Sequence, residues 1–324
     1  MNLMKIDAII EKDLEEDGSC NNKPSFYPVP RLAKIAFYEE NNRPYLLYHG
    51  NIGLLLCDEQ EQDRLDTLHE LFRRVEQAYK RPHPLIPTRN GRILDLGCGT
   101  GIWVIDMAYR HPNAYVLGVD IAAIQPQIHP PNCGFHVPFD FERPWFIDGG
   151  QWDLIHLQLG CGSITHWTNI YHKVFTYLRP GGWFEQLEID FEPHGNDLYS
   201  KKSAFAYWYR HLKEATKKLG CPLAHSAHRT MEELRQAGFK DVWHHCIMLP
   251  LNPWPSDTRE KYIGRWYNIA IAESIETLSL APFTRAFGWP LGTIKQLAAD
   301  VKLEILQANN HSYNFLHVYL AQKH

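Results

Sequence analysis

Between Asp95 and Gly101 the chain reads Asp-Leu-Gly-Cys-Gly-Thr-Gly, with the apolar run Ile93 to Leu96 entering it and a helical stretch, Ile102 to Tyr109, leaving it. Glycines at this spacing (Gly97, Gly99, Gly101) let backbone approach a ligand closely, and a helix start offers an anion N–H groups that have no intrahelical partner. A dinucleotide loop requires G-x-G-x-x-G, and Ile102 breaks that spacing. The loop suits instead a ligand without a pyrophosphate, whose amino-acid end brings a carboxylate to the N–H groups and an ammonium to Asp95. S-adenosylmethionine has that shape.

Three downstream features extend the same reading. Asp120, followed by Ile121, ends the next apolar run, where a carboxylate can accept both ribose hydroxyls. Asp140 follows a third run and is placed to accept from an adenine amino group, with Phe141 beside it for stacking. Trp152-Asp153-Leu154-Ile155 and Leu178-Arg-Pro-Gly-Gly182 then fall at intervals usual in a fold of this type. The catalytic group stays unassigned. Displacement at a sulfonium is driven mainly by positioning, and a base is needed only if the acceptor has a proton to lose. His156, His166, Glu185 and Glu188 are the candidates by position, each with a structural reading beside it. Tyr48 and His49 are placed to close over the cofactor, and Arg265, Trp266 and Tyr267 lie in a stretch suited to a lid.

The elements that must hold these residues alternate between strand and helix. Strands are expected at 93–96, 115–119, 134–137, 152–159 and 183–189, with helices at 102–109 and 167–178. That pattern predicts a doubly wound α/β fold of the Rossmann-like, seven-stranded class I methyltransferase kind. Ahead of it, Asp58 and Glu61 have capping-box spacing, and Leu65, Leu68, Phe72, Val75 and Tyr79 continue as a helix to about Lys80. Residues 1–45 read as a flexible arm, and 46–324 as the cofactor-binding domain. Beyond the core come a helix at 203–219, a short one capped by Thr230 and Glu233 and ending at Gly238, a strand from Phe239, a helical insertion at 252–309 and a closing strand at 312–322.

The bulk composition excludes several classes. Hydrophobic residues make up 44% and charged residues 22% of 324, which supports a sizeable core. The net charge of −4, with no run of five Lys or Arg, argues against a nucleic-acid grip. Seven Cys with no C-x-x-C pair argue for a reducing compartment rather than a disulfide framework. His225 with His228, or His244-His245-Cys246, do not complete a tetrahedral set, so no metal is expected. No apolar run approaches the ~20 residues of a membrane span, and the N-terminal stretch does not read as a signal peptide.

Motifs outside the generic core carry a resemblance. Trp152 to Leu157, Cys161-Gly162-Ser163, Glu188-Ile189-Asp190, Trp254-Pro-Ser-Asp257, Ile263-Gly-Arg-Trp-Tyr-Asn268 and Pro282-Phe-Thr-Arg285 resemble the LaeA-type regulators of fungal secondary metabolism, as do Glu61, Arg64, Asp66 and His69. The resemblance spans about residue 45 to the end. It implies a nuclear, methyltransferase-like regulator working with velvet-domain proteins, and it places Arg64 and His69 near the amino-acid end of the cofactor. Two positions depart from the family pattern: Cys98 stands where Thr is common, and Gln158-Leu159 where a basic residue and Met are frequent. Gln158 is placed on the cofactor side of its strand. Three functions fit these residues: a cofactor-dependent regulator, a biosynthetic methyltransferase of small metabolites, and a non-catalytic cofactor-binding scaffold. The methyl acceptor is not legible.

Overall fold

Short runs of β-branched and aromatic residues, buried on both sides, produce strands that pair in parallel and must be covered by helices on both faces. The computed structural model of the protein describes residues 36–48, 51–80, 84, 87, 90–147, 152–195 and 203–324. Its main sheet contains β4 (Arg92–Leu96), β5 (Tyr115–Val119), β6 (Cys133–His136), β7 (Trp152–Gln158), β8 (Leu178–His194), β9 (Asp241–Pro250) and β10 (Tyr313–Gln322). The order is β6-β5-β4-β7-β8-β10-β9. The first five run parallel, and β10 inserts antiparallel between β8 and β9. The seven-stranded, doubly wound expectation holds.

The strand alternation sends residues to two different covers. On one face Ile93, Val116 and Leu154 pack under α2 (Ile102–Arg110). Further along that face Leu187, Ile189 and Leu316 meet a large cluster from α1 (Glu59–Tyr79), α4 (Ala204–Lys218), α6 (Thr258–Phe287) and α7 (Leu291–Ile305). On the other face Leu94, Ile155, Phe184 and Tyr319 pack under α3 (Trp167–Tyr177) and α5 (Ala227–Gln236). Helices α6 and α7 lie between β9 and β10 in the chain, within the 252–309 stretch read as an insertion.

Three local expectations change. Residues 36–45 are not part of a loose arm. They contribute β1 (Ala36–Glu40) and the start of β2 (Arg43–Tyr48), and β2 pairs with both β1 and β3 (Asn51–Leu56) in a separate antiparallel sheet. Tyr45 at its centre is fully buried. Helix α5 is capped by Ser226, whose side chain accepts from the Arg229 N–H, so Thr230 lies inside the helix rather than at its start. The capping box on α1 is half formed. Asp58 accepts from the Glu61 N–H, but the Glu61 carboxylate turns away to Arg64.

The small sheet is fastened to α6 by polar contacts. Arg43 makes paired bonds of 2.7 and 2.5 Å to Asp58 and reaches Thr277 Oγ1, while Arg285 donates to Glu40 at 2.9 Å and to the Gly53 carbonyl. Asn41 donates to Thr284. The small sheet is thereby held over the open ends of the parallel strands.

A histidine cluster fills the β9–β10 end of the α3/α5 face. His244 Nε2 lies 2.8 Å from His317 Nδ1, and His225 Nε2 lies 2.7 Å from the Tyr319 hydroxyl. Desolvation holds all three imidazoles below the ordinary histidine value, His225 at about 3 and His317 at about 4. The unfolded chain therefore binds protons that the folded chain refuses, so each histidine's stabilising contribution is present above about pH 6.5 and is lost as pH falls below it. Glu188 and Asp120, raised to about 7 and about 6 by burial, contribute the opposite slope, so the measurement must be a difference. Urea unfolding of the wild type and of His317→Leu between pH 7 and pH 5 should show the wild type losing about 1–2 kcal/mol more than the variant. Parallel pH profiles would remove the cluster as a source of acid sensitivity.

Candidate functional site

Open α/β sheets bind ligands beyond the carboxyl ends of their strands, where the strand order reverses. Here that place, above β4, β5 and β7, is a cavity of about 860 Å³. Its floor is the glycine loop and the strand ends, and its roof is β3 and α1. Among the predicted residues Arg64, His69, Asp95, Gly97, Gly99, Asp120, Ile121, Asp140, Phe141 and Gln158 all line it. Gly101 does not reach the wall, being the N-cap of α2. Tyr48 is the last residue of β2, with its side chain outside the described residues, and His49 lies wholly outside them.

The glycine loop is rigid because its own N–H groups are used within the protein. Gly97 and Cys98 both donate to the Val119 carbonyl (2.9 and 3.0 Å), and Gly99 donates to Asp120 Oδ2 at 2.8 Å. Gln125, which no sequence motif singles out, latches the loop from outside by donating to the Gly99 and Ala122 carbonyls. The N–H groups left for a ligand carboxylate are those of the first turn of α2. That helix has no side-chain cap, and its Ile102 and Trp103 line the cavity together with Thr100 of the loop.

Each acidic side chain has a distinct setting. Asp95 Oδ1 accepts from His156 Nδ1 at 2.8 Å. Asp120 accepts from the Gly99 and Ala122 N–H groups, one on each oxygen, yet desolvation still pushes its pKa up to about 6. Every carboxylate oxygen accepts twice, so Asp120 retains capacity for ligand hydroxyls. Asp140 is oriented by the Glu142 N–H and by Arg143. The Phe141 ring lies against the loop, 3.5 Å from where a side chain on Gly97 would begin. Asp153, by contrast, is structural: it takes the Arg92 N–H and the Arg179 guanidinium away from the cavity.

Helix α1 closes the loop side. Leu65 packs on Gly99, and Asp66 accepts from the Thr100 hydroxyl at 2.7 Å. Arg64 is buried with three of its N–H donors engaged, two on Glu61 and one on Ser274 of α6. His69 lies 3.7 Å from Asp106, and desolvation lowers it to about 4, which leaves it neutral near pH 7.

The candidate bases and the expected lid fare differently. His156 and Glu188 reach the cavity wall, whereas Glu185 is buried beside His156, and the His166 side chain is 73% exposed at the start of α3. Glu188 receives the Gly160 and Cys161 N–H groups, which makes it the clamp on the turn after β7. Arg265, Trp266 and Tyr267 do not line the cavity. Tyr267 is a core residue bonded to Asn314, and Trp266 stacks under Arg74. The helix is oriented so that its later residues, Leu278 and Arg285, reach the cavity instead. Among the described residues no group of three or more His, Cys, Asp or Glu is arranged to hold a metal, and no helix is long and apolar enough to cross a membrane.

A family model described as a methyltransferase domain matches residues 67–244. The secondary metabolism regulator laeA of Aspergillus flavus is 51% identical over 308 residues, covering 94% of this chain and 82% of the relative. The protein-methionine methyltransferase laeA of Emericella nidulans is also 51% identical, with 94% and 81% covered. The secondary metabolism regulator LAE1 of Cochliobolus heterostrophus is 42% identical over 301 residues, covering 91% of this chain and 97% of the relative. Among solved structures, phosphoethanolamine N-methyltransferase 2 of Haemonchus contortus, in complex with S-adenosyl-L-methionine, shares the fold at a TM-score of 0.52 and 16% identity. That match covers 86% of this chain and 61% of the solved one.

Gly99 offers a direct check on the loop. Its φ of +54° is left-handed, and a Cβ there would sit 3.3 Å from Leu65. Gly99→Val should cost about 1–2 kcal/mol of stability from backbone strain and, by displacing the loop, abolish S-adenosylmethionine binding in protein that remains folded. Calorimetric titration of the folded variant measures this, and undiminished affinity would remove the loop from the site.

Proposed function

The chain belongs to the LaeA family of secondary metabolism regulators, S-adenosylmethionine-dependent methyltransferases by domain and fold, and we propose that it works in the nucleus with velvet-domain proteins to control metabolite gene clusters. The observation that carries the cofactor half of this reading is the convergence of Asp95, Asp120 and Asp140, from the ends of three successive parallel strands, on one cavity. The regulatory half rests on the similarity to relatives over nearly the whole chain.

The residues present fit the cofactor. The uncapped start of α2 suits a carboxylate, Asp95 an ammonium, Asp120 the ribose hydroxyls, and the Phe141 ring an adenine face. When bound, the cofactor supplies a methyl group on a sulfonium. The chain itself contributes orientation and exclusion of water. The wall away from the glycine loop is mainly apolar, with Leu54, Leu55, Phe191, Leu223 and Leu278, and the Arg285 there is already engaged by Glu40 and Gly53. An acceptor held against such a wall is positioned and desolvated, which is the main assistance that an in-line methyl transfer requires.

Asp120 gives this reading a pH signature. Ribose hydroxyls donate to the ionised carboxylate, so protonation of the free protein below about pH 6 competes with binding. Affinity for S-adenosylmethionine should be flat above pH 7 and fall about tenfold per pH unit below 6. Asp120→Asn should bind more weakly with a flat profile. A wild-type profile as flat as the variant's would take Asp120 away from the ribose.

Regulation is tested in cells. Expressed in Aspergillus flavus lacking its own laeA, this chain should restore transcription of silenced metabolite clusters, accumulate in nuclei and co-purify velvet-domain proteins. Gly99→Val should fail to restore transcription. Restoration by that variant would make cofactor binding dispensable and favour a scaffold, and full transcription without this chain's nuclear entry would overturn the assigned location.

A further inference from the structure

The parallel register lines up three polar residues in a place where a sheet normally carries Val, Ile and Leu. Asp95 of β4 pairs with His156 of β7, and His156 pairs with Glu185 of β8. All three point to the same face, under α2 and α1, and each is 2–3% exposed. The imidazole is held by a hydrogen bond on one nitrogen and a stacked ring on one face, with a second carboxylate near its other nitrogen. Nδ1 is 2.8 Å from Asp95 Oδ1, Nε2 is 3.9 Å from Glu185 Oε2, and Trp103 stacks on the ring at 3.8 Å and 4°. The next position across the sheet is Gly118, opposite Asp95. A side chain there would meet Cys98 and Val104 at 2.9 Å, so the row can be held only from the His156 side.

Burying three ionisable groups carries a desolvation cost, and an apolar row would be cheaper for the fold alone. A carboxylate only accepts, so its 2.8 Å contact fixes a proton on Nδ1, with Nε2 turned to Glu185. Both ring nitrogens are thus directed along the row, at the carboxylates of Asp95 and Glu185. We propose that His156 is a positioning residue for the amino-acid end of the cofactor: its Nδ1–H holds Asp95 in the orientation that receives the ammonium group, and the stacked Trp103 holds the ring, with the Glu185 carboxylate beside Nε2. The pattern parallels the one by which an outer hydrogen bond orients a metal-ligating side chain, where loss of the outer partner weakens binding roughly 10- to 100-fold.

The inference rests on the cofactor assignment above, and its test separates the two. S-adenosylhomocysteine and 5′-methylthioadenosine share the adenosine and a neutral sulfur, but only the first carries the amino-acid end. Replacing His156 by Leu should weaken S-adenosylhomocysteine roughly 10- to 100-fold while leaving methylthioadenosine within about twofold. The two amides identify the nitrogen: in His156→Asn the amide N–H takes the place of Nδ1–H and should keep the wild-type affinity ratio, whereas in His156→Gln it takes the place of Nε2 and should lose it. This pair decides the matter even if the Leu variant does not fold. Equal loss of both ligands, or equal behaviour of Asn and Gln, would make His156 a packing residue and overturn the proposal. A wild-type protein that binds neither ligand would instead overturn the cofactor assignment.

Discussion

The Val119 carbonyl accepts two N–H groups, those of Gly97 and Cys98, and the site depends on that pair of hydrogen bonds. It bends the chain sharply as it leaves β4, lays the glycine loop across the end of β5 and brings Gly99 onto Asp120. With the loop's own donors spent, the open donors are displaced to the first turn of α2, and the cavity acquires a defined floor. Everything above it is then a matter of cover. Leu65 and Asp66 of α1 settle on Gly99 and Thr100, and β3 closes the far side.

The polar groups around this floor are costly and densely interlocked. Asp95 with His156, Arg64 with Glu61 and Ser274, and Glu188 with the turn at Gly160 are all buried. Each is hydrogen-bonded, as burial requires, since an unpaired partner would forfeit the full desolvation cost. Such groups make poor contributors to stability and good contributors to precision. Their concentration at the C-terminal strand ends, against the apolar interior at Leu94, Ile155 and Phe184, marks which end of the sheet is selected for chemistry.

What was legible in the sequence follows from the range of the interactions involved. The loop from Asp95 to Gly101, the acids at Asp120 and Asp140 and the face of α1 are local patterns, and each stands where the spacing places it. The small sheet was not legible. Its strands are five or six residues long, Asn41, Asn42 and Pro44 interrupt the pattern, and its order comes from contacts with α6 far along the chain. The α5 boundary was misplaced because Thr230 and Glu233 imitate a capping box, while the true cap, Ser226, lacks the acidic partner that would announce it. The row through His156 depends on register between three strands, which no single window of residues contains.

The ties between the small sheet and α6 also bear on how the chain matures as it is made. Asn41 meets Thr284 across 243 positions, Arg43 meets Thr277 across 234, and Arg285 meets Glu40 across 245. Synthesis runs from the N-terminus, and contacts this distant in sequence form late. β3, α1, the glycine loop and its acids all emerge from the ribosome well before α6, so until α6 follows the small sheet lacks the ties that hold it over the loop. A nascent chain therefore passes through an interval in which the cofactor floor and α1 are present but the small sheet is not yet fastened, and the apolar residues Leu54 and Leu55 of β3 await their anchorage on α6.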